Sequence, residues 1–213
     1  MIKKKKSLTC IAAIKNRGKI YMAADRRISW DMDQAQELPK GNRKIVRRDG
    51  LIMAGTGTWS MCRLILRTLE FRKYIDHYDY IGCEDEYFDT IFYNDVIKLL
   101  KSKGFVDVNA GLHPVLKIPF DMDAEIVIAL NGRLFTLTIE NGSSSDNHNP
   151  NGMVSIEELN LPYAAGCGGS YAWGSLLTTE NMNMKPKERL ILALTVAAQV
   201  SPGCDSKADV EHE

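Results

Sequence analysis

The chain has 213 residues, 45% of them apolar and 25% charged, with 27 basic side chains balancing 27 acidic ones. That size and composition suit one domain with a sizeable core, and zero net charge removes any general electrostatic case for nucleic acid or a membrane surface. No apolar run approaches a bilayer span, and Met1-Ile2 with Lys3 to Lys6 lacks the apolar stretch of a signal peptide, so a cytoplasmic protein is expected. Five cysteines (Cys10, Cys62, Cys83, Cys167, Cys204) are scattered without a C-x-x-C pair, which favours free thiols over a disulfide frame or a zinc site.

Taken in order, Thr9–Ile14 and Lys19–Ala24 read as two strands around the polar turn Asn16-Arg17-Gly18. The second ends on Asp25. A carboxylate closing an apolar strand is a candidate for chemistry, and the bland alternative is a surface charge paired with Arg26 and Arg27. Residues 28–39 are polar and turn-rich and read as a loop. Lys44–Arg48 and Leu51–Ala54 flank Asp49-Gly50 as a second hairpin, followed by Gly55-Thr56-Gly57-Thr58 at an expected strand-to-helix turn. No Gly-Lys-Ser/Thr follows, so a phosphate loop is disfavoured.

Helical spacing predicts an amphipathic helix over Met61 to Tyr74 and another over Asp89 to Lys101. Glu84-Asp85-Glu86 is expected to be a solvated loop and helix start. Pro114 and Pro119 frame a loop, and Glu125–Leu130 and Arg133–Ile139 form a hairpin across Asn131-Gly132. Gly142 to Pro150 reads as a mobile loop tip. Tyr163 to Leu177 gathers glycines around Cys167 before a helix, and Pro186 opens the last helix, with Leu190, Ile191, Leu194, Val196 and Ala197 as its buried stripe. Asp209, Glu211, His212 and Glu213 are expected to form a polar tail, not a metal site.

The stretch from Thr9 to Asp25 resembles the start of a proteasome β-type subunit, an N-terminal-nucleophile (Ntn) hydrolase, and is similar to HslV within that family. The family opens its mature chain on Thr, reaches an Asp sixteen residues later and then a Lys in a run such as Lys-Gly-Asn; here the run is Lys40-Gly41-Asn42-Arg43-Lys44-Ile45. The resemblance implies a single α+β domain, residues 9–213, built as a four-layer α/β/β/α sandwich. It implies a leader, residues 1–8, cut between Leu8 and Thr9. It also implies the catalytic set Thr9 (nucleophile and base), Asp25, Lys44, Gly57 (oxyanion N–H, with Gly55 the neighbouring choice) and Cys167 (supporting).

Departures are plain. Leaders of this family commonly end in Gly where this chain has Leu8. Cys167 stands for the Ser of Gly-Ser-Gly, and Ser201 and Cys204 stand where Asp-x-x-Ser-Gly is usual. Function by resemblance is a threonine endopeptidase of a homo-oligomeric ring, degrading polypeptides delivered by an ATPase unfoldase, without cofactor or metal. Two alternatives are a silent shell subunit of the same fold and an Ntn amidase with Cys10 exposed as nucleophile.

Overall fold

The computed structural model describes residues 9–31, 34–39, 41–70, 72–74, 82–107, 115–116, 122–140 and 152–213. The expected leader and the expected loop tip at 142–150 lie outside the described residues; within the expected loop between Pro114 and Pro119, Val115–Leu116 is a short strand, β8, paired with β7 (Val106–Asp107), and the rest lies outside them.

Two antiparallel sheets form the centre. The first, in the order β12-β1-β2-β13, is made by β1 (Cys10–Asn16), β2 (Lys19–Asp25), β12 (Tyr163–Gly166) and β13 (Ala208–His212). The second runs β11-β10-β9-β6-β5, from β5 (Ile45–Arg48), β6 (Leu51–Gly57), β9 (Ala124–Leu130), β10 (Arg133–Glu140) and β11 (Met153–Glu158). Alternation along each strand sends one set of side chains inward. Ile11, Ala13, Ile20 and Met22 of the first sheet meet Ile45, Ile52, Val127 and Ala129 of the second in a shared core.

The outer faces are covered by helices. Met61, Cys62, Ile65 and Leu66 of α1 (Trp59–Thr68) pack with Ile126, Ile128 and Leu137 of the second sheet. They are joined there by α2 (Glu84–Glu86), a π-helical stretch (Tyr87–Phe92) and α3 (Tyr93–Ser102), which follow one another without a break. On the first sheet, α4 (Gly169–Thr178) and α5 (Pro186–Val200) lay Ala172, Leu176, Leu190 and Leu194 over Cys10, Ala12 and Ile14. Pro186 starts α5 as its residue type predicts, and Glu188 accepts the Lys185 N–H (3.2 Å). The result is the expected four-layer α/β/β/α sandwich.

Several local expectations need correction. Residues 28–39 are not a loop: β3 (Arg27–Asp31) pairs with β4 (Gln34–Glu37), and buried Ile28 and Leu38 anchor it. The glycine-rich stretch continues strand β6, because β9 pairs with it as far as Gly57↔Ala124. Residues 208–212 are not a tail but β13, hydrogen-bonded to β2. Glu213 beyond it accepts the N–H groups of Ile20 and Gly132 (both 2.9 Å), joining the two sheets at the turn end.

Glu84 is buried rather than solvated. Asn131 Nδ2 (2.8 Å), the Gly82 N–H (3.0 Å) and Arg133 Nη1 (3.2 Å) donate to it, so the first turn of α2 is tied to the β9–β10 turn. Burial pushes its carboxyl up, but those donors outweigh burial and hold it below the usual glutamate range. A depressed carboxylate stabilises the fold fully above its unfolded value, and that contribution is lost as pH falls through the folded value. Glu84→Ala is therefore expected to cost about 2 kcal/mol in chemical denaturation at neutral pH. Glu84→Gln should flatten the stability loss seen as pH falls below the ordinary glutamate value.

Candidate active site

The β1–β2 hairpin brings the two ends of one sequence stretch together. Its register pairs Ile11 with Ala24, which sets Thr9 and Cys10 beside Asp25. Thr9 is 0% exposed and Asp25 and Lys44 are each 1% exposed. Asp25 Oδ1 accepts both the Lys44 ammonium (2.8 Å) and the Cys10 N–H (2.9 Å), while Oδ2 accepts the Arg27 N–H (3.2 Å). The bland reading of Asp25 therefore fails: Arg27 supplies only its backbone, and the Arg26 guanidinium turns to Glu37 and Asp209. Burial pushes the Asp25 carboxyl up, opposed by Lys44 and the two N–H groups.

Asp25 ends β2 in one sheet and Lys44 immediately precedes β5 in the other, so this ion pair joins the two sheets. The Lys44 carbonyl is in turn held by the Gly55 N–H (3.1 Å). Breaking one partner of such a pair strands a buried charge.

A cleft of about 530 Å³ is lined by Thr56, Gly57, Asp123, Ala124, Glu125, Thr138, Ile139, Glu140 and Gly166; Thr9, Asp25 and Lys44 lie beneath its surface and do not line it. Gly57 has φ +98°, and a Cβ there would lie 2.6 Å from the Asp123 carbonyl, so no other residue fits. Gly55 is not at the cleft. A Cβ on it would press on Cys62 of α1 at 2.9 Å. Of the two glycines, only Gly57 borders the cleft. Gly166 (φ +85°) also borders the cleft and abuts the Thr9 carbonyl, which a Cβ would meet at 2.0 Å.

Cys167 follows Gly166 and its Sγ–H donates to that same Thr9 carbonyl (3.5 Å). Ser201 Oγ donates to Cys167 Sγ (3.3 Å), and Cys204 Sγ lies 3.4 Å from it. Ser201 and Cys204 were noted in the sequence only as substitutions; no spacing rule could bring residues 10, 167 and 204 together. The Cys10 side chain is packed under α5 in the outer core, away from the cleft. Among the described residues no group of His, Cys, Asp and Glu side chains is arranged to hold a metal ion. Nor is any helix among them long and apolar enough to cross a membrane.

Two facing antiparallel sheets between helix pairs, with the cleft at the sheet ends, define the proteasome-like Ntn-hydrolase fold. The chain superposes over 96% of its length on 97% of Thiobacillus denitrificans BPH in complex with epoxomicin, with TM-score 0.66 and 15% identity. It covers 98% of eukaryotic HslV from Trypanosoma brucei with 95% of its own length (TM-score 0.55, 14% identity). It covers 80% of Anbu (ancestral beta-subunit) from Yersinia bercovieri with 96% of its own length (TM-score 0.55, 10% identity). At these identities the likeness is one of fold. No protein-family model and no curated protein matches the sequence.

The buried pair gives a thermodynamic test. Lys44→Met and Asp25→Asn should each lower stability by about 3–5 kcal/mol, and the double variant by much less than the sum. Denaturant titration of the four forms measures that coupling. Additive losses would mean the two charges are held independently.

Proposed function

We propose that this chain is a threonine endopeptidase that works as a subunit of a self-compartmentalising ring on polypeptide fed by an ATP-driven unfoldase. The observation that carries the reading is one oxygen: Asp25 Oδ1 holds both the Lys44 ammonium and the backbone N–H next to Thr9. A threonine hydroxyl is a weak nucleophile until a base takes its proton. Cleavage of the Leu8–Thr9 bond frees an α-amine whose ordinary pKa of about 7.7–8.0 suits that task.

A nearby Lys44 ammonium disfavours protonation of the amine, and Asp25 keeps Lys44 in place. The amine takes the Thr9 hydroxyl proton, the oxygen attacks the peptide carbonyl, and the leaving amine receives the proton. The Gly57 N–H stabilises the tetrahedral oxyanion, a contribution typically of about 2.7–4 kcal/mol. Water then hydrolyses the Thr9 acyl ester. Cys167 holds the Thr9 carbonyl through its S–H.

The silent-subunit reading draws support from one feature. The group around the Thr9 carbonyl is Cys167, Ser201 and Cys204, without the carboxylate that the resemblance leads one to expect there. The amidase reading loses support, because Cys10 packs beneath α5.

Intact mass separates these readings. The wild type should lack residues 1–8, Thr9→Ala should retain them, and the wild-type native mass should be a multiple of the processed chain, lighter than the full 23.9 kDa by those eight residues. An uncut wild-type ring would establish the silent subunit instead. With the leader removed in advance, Lys44→Arg should nearly abolish hydrolysis of a fluorogenic peptide, because a planar guanidinium cannot replace a compact ammonium in a close-fitting site. Epoxomicin, the compound in the Thiobacillus denitrificans complex, should block wild-type turnover. Near-normal hydrolysis by Lys44→Arg would remove Lys44 from the chemistry.

A further inference from the structure

Cys167 and Cys204 come from different elements. Cys167 follows β12, and Cys204 follows α5. Their sulfurs are 3.4 Å apart without being bonded. A disulfide needs about 2.05 Å, so closure takes about 1.4 Å, within reach of side-chain adjustment. Their exposures are complementary: Cys167 is open to solvent and Cys204 is buried. The first can meet a reagent that the second cannot, which is the arrangement of an attacking and a resolving thiol. Cys167 also touches the Thr9 carbonyl.

We propose that Cys167 and Cys204 are a reversible disulfide pair set against the nucleophile, joined by a small dialkyl disulfide. The Cys167 thiol loses its proton, and the thiolate attacks one sulfur of the oxidant and expels the other half as a thiolate, which takes up that proton. The Cys204 thiolate then attacks Cys167 Sγ and expels the remaining half as a second small thiol. Two protein thiols are oxidised and one small disulfide is reduced to two thiols. The Cys167 S–H is consumed, so the Thr9 carbonyl loses that donor. This last effect bears on catalysis only through the threonine-peptidase reading above, whereas the thiol pairing stands on the geometry alone.

Both thiols are held in their protonated form. The shared contact with Cys204 and burial push Cys167 up, and contact with Cys10 and burial push Cys204 up to about 11. Thiolate is the reacting species, so pairing is slow near neutrality and accelerates as pH rises. A bond with one exposed sulfur is correspondingly open to reduction.

The test uses the full chain in buffers of oxidised and reduced glutathione, with alkylation and peptide mapping. A linked Cys167–Cys204 peptide should appear, faster at higher pH, and disappear with dithiothreitol. Cys204→Ala should accumulate glutathione on Cys167 under the same oxidation, because the resolving thiol is gone. Turnover of the oxidised wild type should fall by about fivefold or more, the scale of one lost hydrogen bond, and recover on reduction. A persistent glutathione adduct on wild-type Cys167, or no linked peptide at all, would overturn the pairing. A linked peptide with unchanged turnover would overturn its effect on the site. Absence of turnover in the fully reduced chain counts against the peptidase reading, and the peptide map still decides the pair.

Discussion

An ammonium and a carboxylate sealed from water set the terms for the rest of this molecule. Removing both charges from solvent costs several kcal/mol per ion, which their attraction offsets only with close geometry and satisfied lone pairs. Here the carboxylate of Asp25 meets Lys44 and two backbone N–H groups, from Cys10 and Arg27. Because Asp25 ends a strand of one sheet and Lys44 immediately precedes a strand of the other, those bonds tie the two sheets together. A pair of apolar side chains could hold the sheets together as firmly, but it would not hold the backbone beside Thr9 by a directed bond.

Around that pair the structure removes side chains where backbone must come close. Gly57 and Gly166 both line the cleft, one against the Asp123 carbonyl and the other against that of Thr9. Sulfur stands where the resemblance leads one to expect a hydroxyl. The S–H of Cys167 is a weaker donor than an O–H, so the Thr9 carbonyl is held more loosely than the carboxylate of Asp25 is. The site thus has a stiff half, built on ionic bonds, and a soft half, built on thiols.

Legibility in the sequence followed sequence distance. The hairpins at Asn16-Arg17-Gly18 and Asn131-Gly132 were readable because turn chemistry and strand alternation lie side by side. The count from Thr9 to Asp25 carried meaning for the same reason: it is the length of one hairpin, whose register brings its two ends together. Burial of Glu84 was not readable, since its partners Asn131 and Arg133 are far along the chain and an acidic triplet ordinarily marks solvent. The polar strands β3, β4 and β13 escaped notice because backbone pairing, not an apolar face, defines them. The thiol group escaped for a similar reason, its members lying on β1, after β12 and after α5. The fold was legible from local pattern and resemblance; most of the cleft's lining and the contacts around Thr9 were not.

The order of strands in the first sheet has a consequence for the chain as it is made. Its central hairpin, β1 and β2, is synthesised first, yet both neighbours come late: β12 begins at Tyr163 and β13 at Ala208. Until then the hairpin carries two unpaired edges, the kind that invite pairing with other chains. Long-range closure of this sort is slow, because the intervening loop entropy is lost before any contact rewards it. The Thr9 carbonyl likewise meets Cys167 only when the late segment arrives. Translation thus acts as a timer: the surroundings of Thr9 are completed only when the last quarter of the chain has left the ribosome.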